Sequence, residues 1–320
     1  MGMAYLLALR TLPRHSCKFS RHDFTLAQLF ACLVVREFFG LSYRRTEALL
    51  NDAPAWLADA GLTRAPDHNT LWRAADALLS ARRCGRMMDL LAELFARAKL
   101  LKLPRRRPLA IDSTCFEHHH RCGHYDRRCR RMTDDAPKRP GKWGKSVNAA
   151  RSRRLRATPK LAAAVDSGTH LILAAKARVG NGSDAPDFDD LLYDAWRRAR
   201  VAVVVADAGY DSEANHEIAR HDLGVRSIIA TGIGRPTRKP PSGRWRRHTR
   251  KRFGRKADRK LYGQRAQSET AHSMMKRNMS SALRSRTPDR QKKEMMLRAD
   301  AACRHPRAVR GVWLAELARG

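Results

Sequence analysis

Val201-Ala-Val-Val-Val-Ala-Asp-Ala-Gly-Tyr-Asp211 is the stretch on which the fold turns. Its first six residues form a continuous apolar run rich in valine, the pattern of a strand buried on both faces between helices. The run ends in Asp207, with Gly209 two residues on, so a carboxylate sits at the strand end where open α/β sheets place ligands. Working outward, Asp189 to Arg200 reads as a helix before it; a helix over Ser212 to His221 and a strand over Val225 to Ala230 follow. Upstream, Pro108-Leu-Ala-Ile-Asp112 is a second short apolar strand that ends in an acid. Lys160 to Val165 and His170 to Val179 flank Asp166-Ser-Gly168, a hairpin signal. This order of strands and helices predicts an α/β fold with a mixed sheet flanked by helices.

The composition narrows the partner. The 320 residues carry 65 Lys and Arg against 31 Asp and Glu, a formal net charge of +34. With 43% hydrophobic residues the chain can build a core, which excludes a disordered basic tail. Apolar runs such as Leu29 to Val35 are far shorter than the roughly 20 residues of a membrane span. The start, MGMAYLLALR, has no positive charge ahead of its apolar run, which argues against a signal peptide. Seven cysteines, odd in number and scattered, fit a reducing compartment and hence a cytoplasmic protein, which a nucleic-acid partner would make nucleoid-associated. A pI near 11.2 calls for a polyanion. Charge spread along the whole chain favours nucleic acid over a membrane, which usually meets one basic face.

Three regions are expected. Residues 1–100 read as helical: Phe24 to Phe39 stopped by Gly40, a helix capped by Ser42, and Thr70 to Leu79 capped by Asn69 or Thr70. Such a pair fits a helix-turn-helix that binds DNA; a plain bundle packed on the next domain fits equally. Residues 101–303 hold the α/β fold, and 304–320 form a divergent tail. Within the second region, Gly232 to Tyr262 contains 13 Lys or Arg, one Asp and several Pro and Gly, and reads as an extended basic loop. Arg246, Arg247 and Lys251 are its candidate DNA contacts, with Trp245 and Phe253 as stacking groups for bases; a solvated linker is the alternative. Helices over Tyr262 to Leu283 and Pro288 to Cys303 follow.

Tyr262, Arg265, Glu269 and Lys276 give that first helix its interest. At 100° per residue all four fall within an arc of about 60°. One acid flanked by two cations and a phenol suits a phosphodiester: the acid holds a metal, and the cations neutralise phosphate oxygens. An exposed face with an Arg265–Glu269 i,i+4 pair is the plainer alternative. By composition the frame arises around a given Glu with a chance of roughly 0.0008, so roughly 0.03 matches are expected in the chain by accident.

With those residues in view, the chain resembles insertion-sequence transposases, which carry a DDE catalytic triad on an RNase H-like fold. Asp112 in Ala110-Ile-Asp-Ser-Thr114 is similar to the family's first acid, and Asp207 in Ala206-Asp-Ala-Gly-Tyr-Asp211 to its second. Tyr262, Arg265, Glu269 and Lys276 match its YREK signature, and the resemblance spans roughly residues 20–300. It implies an RNase H-like mixed sheet behind an N-terminal all-helical DNA-binding region. Asp112, Asp207 and Glu269 would be catalytic and would ligate two Mg²⁺ ions about 4 Å apart, with Mn²⁺ as a substitute. Tyr262, Arg265 and Lys276 would bind DNA. The implied reaction is cleavage and strand transfer at the inverted-repeat ends of an element, on double-stranded DNA, by a homodimer and without a membrane.

Other features weigh less. Glu117 to His124 with Cys115 and Cys129 lacks zinc-finger ligand spacing, and its arginines suit a DNA path better. Asp184, Asp187, Asp189 and Asp190 read as structural acids at a helix N-terminus. Ala299 to Pro306 departs from the family's apolar final helix, which leaves room for an inactive nucleic-acid-binding relic or for a nuclease without strand transfer.

Overall fold

The computed structural model describes residues 1–101, 103, 107–119, 158–180, 182–231 and 240–302. Six helices come first: α1 (Gly2–Thr11), α2 (Leu26–Phe38), α3 (Tyr43–Asn51), α4 (Pro54–Asp59), α5 (His68–Leu78) and α6 (Ala81–Arg97). Then follow strands β1 (Leu109–Cys115), β2 (Glu117–His118), β3 (Pro159–Asp166) and β4 (Ile172–Val179), helix α7 (Phe188–Arg198) and strand β5 (Val203–Ala206). Helix α8 (Glu213–Glu217), strand β6 (Arg226–Ile229), helices α9 (Arg244–Arg252), α10 (Lys256–Gly263) and α11 (Ala266–Met279), strand β7 (Ala282–Leu283) and helix α12 (Pro288–Ala302) complete the order.

The main sheet runs β4-β3-β1-β5-β6, with β3 antiparallel to both β1 and β4, and β5 parallel to both β1 and β6. This is the mixed α/β sheet of an RNase H-like fold, and the valine run is its buried β5. Register places the first two acids: Ile111 pairs with Ala206 across parallel strands, so Asp112 and Asp207 are the next residues on neighbouring strands. Adjacent strands lie about 4.8 Å apart, which makes the two acids neighbours by construction.

One apolar cluster extends from α1 through the sheet to α12, with Phe30, Ala31, Cys32 and Leu33 of α2 fully buried in it. Helix α2 starts with a capping box between Thr25 and Gln28, α3 starts on the Ser42 side chain, and Gly40 takes φ +57 between the two. Helix α12 ties this helical layer to the sheet side through buried charge. Arg298 donates to Glu37 of α2 and to Glu294, and also caps the carbonyls of Ser280 and Ala282. No single helix among the described residues is long and apolar enough to cross a membrane.

Several local expectations are corrected. Asp67, one residue ahead of the helix, caps α5 through Asn69 N and Thr70 N, so neither Asn69 nor Thr70 is the cap. The basic segment is helical over Arg244–Arg252 and Lys256–Gly263, not extended, while residues 232–239 lie outside those described. The helix expected from Tyr262 to Leu283 is broken at Gln264 and Arg265, where amides bond to carbonyls three residues back, and Ala282–Leu283 pair as a strand with β2. The last helix continues through Ala302 with Met295, Leu297 and Ala299 buried, despite its charges. Most of the Glu117–His124 stretch, and the tail from 303, lie outside the described residues.

Candidate active site

The turn after β5 is built around Asp207. Its carboxylate accepts from Gly209 N at 2.8 Å, capping the short turn Ala208–Tyr210. A Cβ on Gly209 would stand 2.9 Å from Asp207 Oδ1, so only glycine lets the backbone come this close. Tyr210 is fully buried beside Phe188, and Asn215 fastens the turn by donating to Tyr210 O and Ala185 O.

Asp112 is buried, and burial lifts its carboxyl pKa; Asp207 and Glu269 raise it further, against the pull of Ser113 N and Arg265. The two other acids are therefore near enough to act on it electrostatically. Ser268 Oγ lies 3.4 Å from Asp112 Oδ2, which fixes α11 across the strand end. Glu269, in the first turn of α11, is 57% exposed and accepts from Arg265 Nη2 at 2.6 Å, while Arg265 Nη1 lies 3.6 Å from Asp112 Oδ2. The guanidinium thus stands between two of the three carboxylates. The i,i+4 pair and the cation-by-acid arrangement are both present in one side chain.

Lys276 donates to the Cys115 carbonyl at 2.8 Å and sits 5.4 Å from the Phe116 ring. Tyr262 belongs to the preceding helix, half-buried against Phe253 with ring centroids 4.7 Å apart. Both rings cover the sheet face formed by Ala110, Val205 and Ile228, so Phe253 is a floor residue and not a free stacking group. A cleft of about 520 Å³ opens over the strand ends, lined by Asp112, Thr114, Glu269, Ser273, Lys276 and Arg277 among others; Asp207 is not one of its lining residues. Sequence reasoning missed Ser268 and Ser273, because hydroxyls on a polar helix carry no signal by themselves.

The remaining expected residues lie apart from this cleft on α9. Arg247 and Lys251 are exposed, whereas Arg246 donates to Asp211 Oδ2 from Nε (3.0 Å) and Nη2 (2.7 Å). Trp245 donates from Nε1 to His221 Nε2 at 2.8 Å and stacks under Arg220 and Arg244. The aspartates after β4 are held by cations of the sheet: Asp184 by Lys160 and Arg178, Asp187 by Lys176 and Arg178, Asp190 by Lys176. Ser113 Oγ also donates to Asp184 Oδ2 at 3.0 Å, so this pair braces the strand beside Asp112.

The carboxylates of Asp112, Asp207 and Glu269 are hard oxygen donors of the kind that hold a divalent cation. Among the described residues no three acid, His or Cys side chains converge as placed on a single metal position, consistent with Glu269 being drawn to Arg265. The donor chemistry and the like-charge pressure on Asp112 nevertheless fit such an ion.

A mixed RNase H-like sheet with one acid within β1 and another just past the end of the neighbouring β5, faced by an acid- and cation-bearing helix, defines a class of enzymes that act on nucleic acid phosphodiesters. A family model described as Transposase DDE domain matches residues 103–303, and one described as Transposase domain (DUF772) matches residues 6–77. The first spans more than half of the chain, and the chain belongs to the DDE transposases. It is a transposase, an enzyme acting on DNA with a divalent metal cofactor. No curated protein matches the chain.

Proposed function

We propose that the chain cleaves DNA at the inverted-repeat ends of its element and joins the freed 3′-hydroxyls to target DNA, with Asp112, Asp207 and Glu269 as catalytic acids and Mg²⁺ ligands. One observation carries this reading: the parallel pairing of Ile111 with Ala206 makes Asp112 and Asp207 the next residues on neighbouring strands, and Glu269 of α11 lines the same cleft as Asp112. Bound Mg²⁺, with Mn²⁺ as a substitute, would neutralise the phosphate oxygens and favour the deprotonated nucleophile. The chain's own residues supply the rest. Water in cleavage, and the 3′-hydroxyl in joining, attack the same kind of phosphorus centre, so one site serves both.

Arg265, Lys276 and Arg277 line the approach and would pair with phosphate oxygens. Loading the site requires Glu269 to turn from Arg265, which its exposed side chain permits. Arg265 is then released to the DNA backbone. Tyr262 supports Arg265 from the helix before. Exposed Arg44, Arg45 and Arg73 of α3 and α5, with Arg247 and Lys251 of α9, extend the contact to flanking duplex in the nucleoid. Two copies would hold two element ends together in a synaptic homodimer.

The test uses Mg²⁺ and DNA carrying the element's ends. Asp207→Asn and Glu269→Gln should lose nicking by at least about 10³-fold while still binding duplex. Nicking that survives either change overturns the assignment. Supplying pre-cut ends separates a transposase from a nuclease, since only the former joins them to target DNA.

A further inference from the structure

Four residues beyond Asp207, the same turn grips a distant basic helix. Asp211 closes the turn with its carboxylate almost fully buried, and both donors of Arg246, Nε and Nη2, converge on its Oδ2. Two residues on, Glu213 accepts from Trp245 N at 2.7 Å and Arg246 N at 3.0 Å, supplying the N-terminal cap that α9 lacks in its own sequence. Gly243, at φ +94, is where the chain enters this cap: a Cβ there would stand 2.0 Å from Glu213 Oε2. On its outer side α9 lines an open groove of about 720 Å³ with Pro240, Pro241, Arg244, Arg247, His248 and Lys251. Burial first, and then the guanidiniums of Arg220, Arg252, Arg226 and Arg255, keep His248 below its usual pKa.

The geometry points to Asp211, Arg246 and Glu213 as a clasp that positions the cationic face of α9 on the duplex backbone, in fixed relation to Asp207. Arg246 is in this account a positioning residue and not a DNA contact. The physical reason is prior engagement: Nε and Nη2 serve a buried carboxylate and Nη1 lies 3.5 Å from Ser242 Oγ, so the side-on fork of this arginine is already used within the chain. The turn that carries the second acid and the helix that carries the groove cations then move as one piece. This rests on the transposase reading above, because it assumes that the groove cations meet DNA.

The sign of the acid's effect separates the clasp from plain electrostatics. Removing an acid near a DNA track should tighten binding if only charge matters. If the acid positions the track, removing it should weaken binding. The experiment measures anisotropy of a short labelled duplex of mixed sequence with the full chain, comparing Asp211→Ala, Arg246→Ala and their double mutant. The expected result is a Kd raised about ten-fold by each single change, and a double mutant no weaker than the weaker single, the non-additivity of a coupled pair. Glu213→Ala should also raise Kd, whereas Glu213→Gln, which keeps one of the two acceptor oxygens that receive the Trp245 and Arg246 amides, should raise it less than Glu213→Ala does.

Thermal unfolding of each variant identifies any that fails to fold. The half-exposed Arg246→Ala and the conservative Glu213→Gln keep the comparison usable if Asp211→Ala unfolds. Unchanged or tighter binding by Asp211→Ala, or additive losses in the cycle, would overturn the clasp. Failure of the wild-type chain to bind duplex at all would instead overturn the reading on which it rests.

Discussion

Two glycines and a histidine show how single residues hold the site's shape. Gly209 lets Asp207 fold back on its own turn, and Gly243 lets the chain pass Glu213. Gly243→Ala would combine a positive φ with a clash, and should cost about 2 kcal/mol in denaturant unfolding. His272 lies one helical turn from Glu269 with its Nε2 making no hydrogen bond. Burial, and then Lys276, hold its pKa down at about 4, against 6.5 for an unperturbed histidine. The folded chain therefore keeps His272 neutral where the unfolded chain takes up a proton. Stability is lost as pH falls from about 6.5 toward 4, by roughly 2–3 kcal/mol at about pH 4.5 from this residue. Urea unfolding at pH 7 and at about pH 4.5 should show that loss, and His272→Gln should remove most of it.

At the scale of elements, the junction of α2 with α12 is a buried ion cluster and not an apolar seam. Glu37 is surrounded by Arg36 and Arg298, and Arg298 also reaches Glu294. Glu294 in turn accepts from the amides of Arg284 and Ser285, so the strand β7 after α11 hangs on the same cluster. Burial, and then Glu294, push the Glu37 carboxyl up, while the two arginines hold it down. Removing one member leaves its partners buried without a counter-charge. Glu37→Ala should therefore lower stability by roughly 3–5 kcal/mol in thermal or urea unfolding, more than an exposed pair such as Arg97–Glu93 would. A cost below about 1 kcal/mol would mean that solvent enters this junction.

For the whole molecule, the net charge of +34 sets a measurable expectation. Acids are few and many are already spoken for: Asp184, Asp187 and Asp190 by sheet cations, Asp76 by Arg290 and Lys293, Asp258 by Arg226. What remains outward is mostly cationic, including the α9 groove, while the cleft sets Lys276 and Arg277 beside Asp112 and Glu269. Duplex affinity should then fall by about 10³-fold between about 50 and 200 mM salt, as it does when six or more phosphates are contacted. A weak salt dependence in the same titration would show that most of the surplus charge faces away from DNA.

The parts legible in the sequence are those encoded within a few residues. The valine run ending in Asp207, the hairpin around Asp166 and the Ser42 cap all depend on local pattern, and the structure has them where the pattern places them, whereas β1, expected to end at Asp112, runs on to Cys115 along β3. Tyr262, Arg265, Glu269 and Lys276 were readable as a set through spacing, but not the break at Gln264–Arg265, since three-residue backbone bonds leave no mark in side-chain periodicity. The basic segment read as extended because charge and proline masked two helices, one of them capped by a glutamate about 30 residues away. Local sequence thus determined the strands, the acid that ends β5 and the polyanion partner. Only tertiary structure decided that Arg265 stands between two acids, that Arg246 faces a carboxylate and that Arg298 is buried. Each of those outcomes depends on which distant charge shares a desolvated space, and sequence spacing does not carry that information.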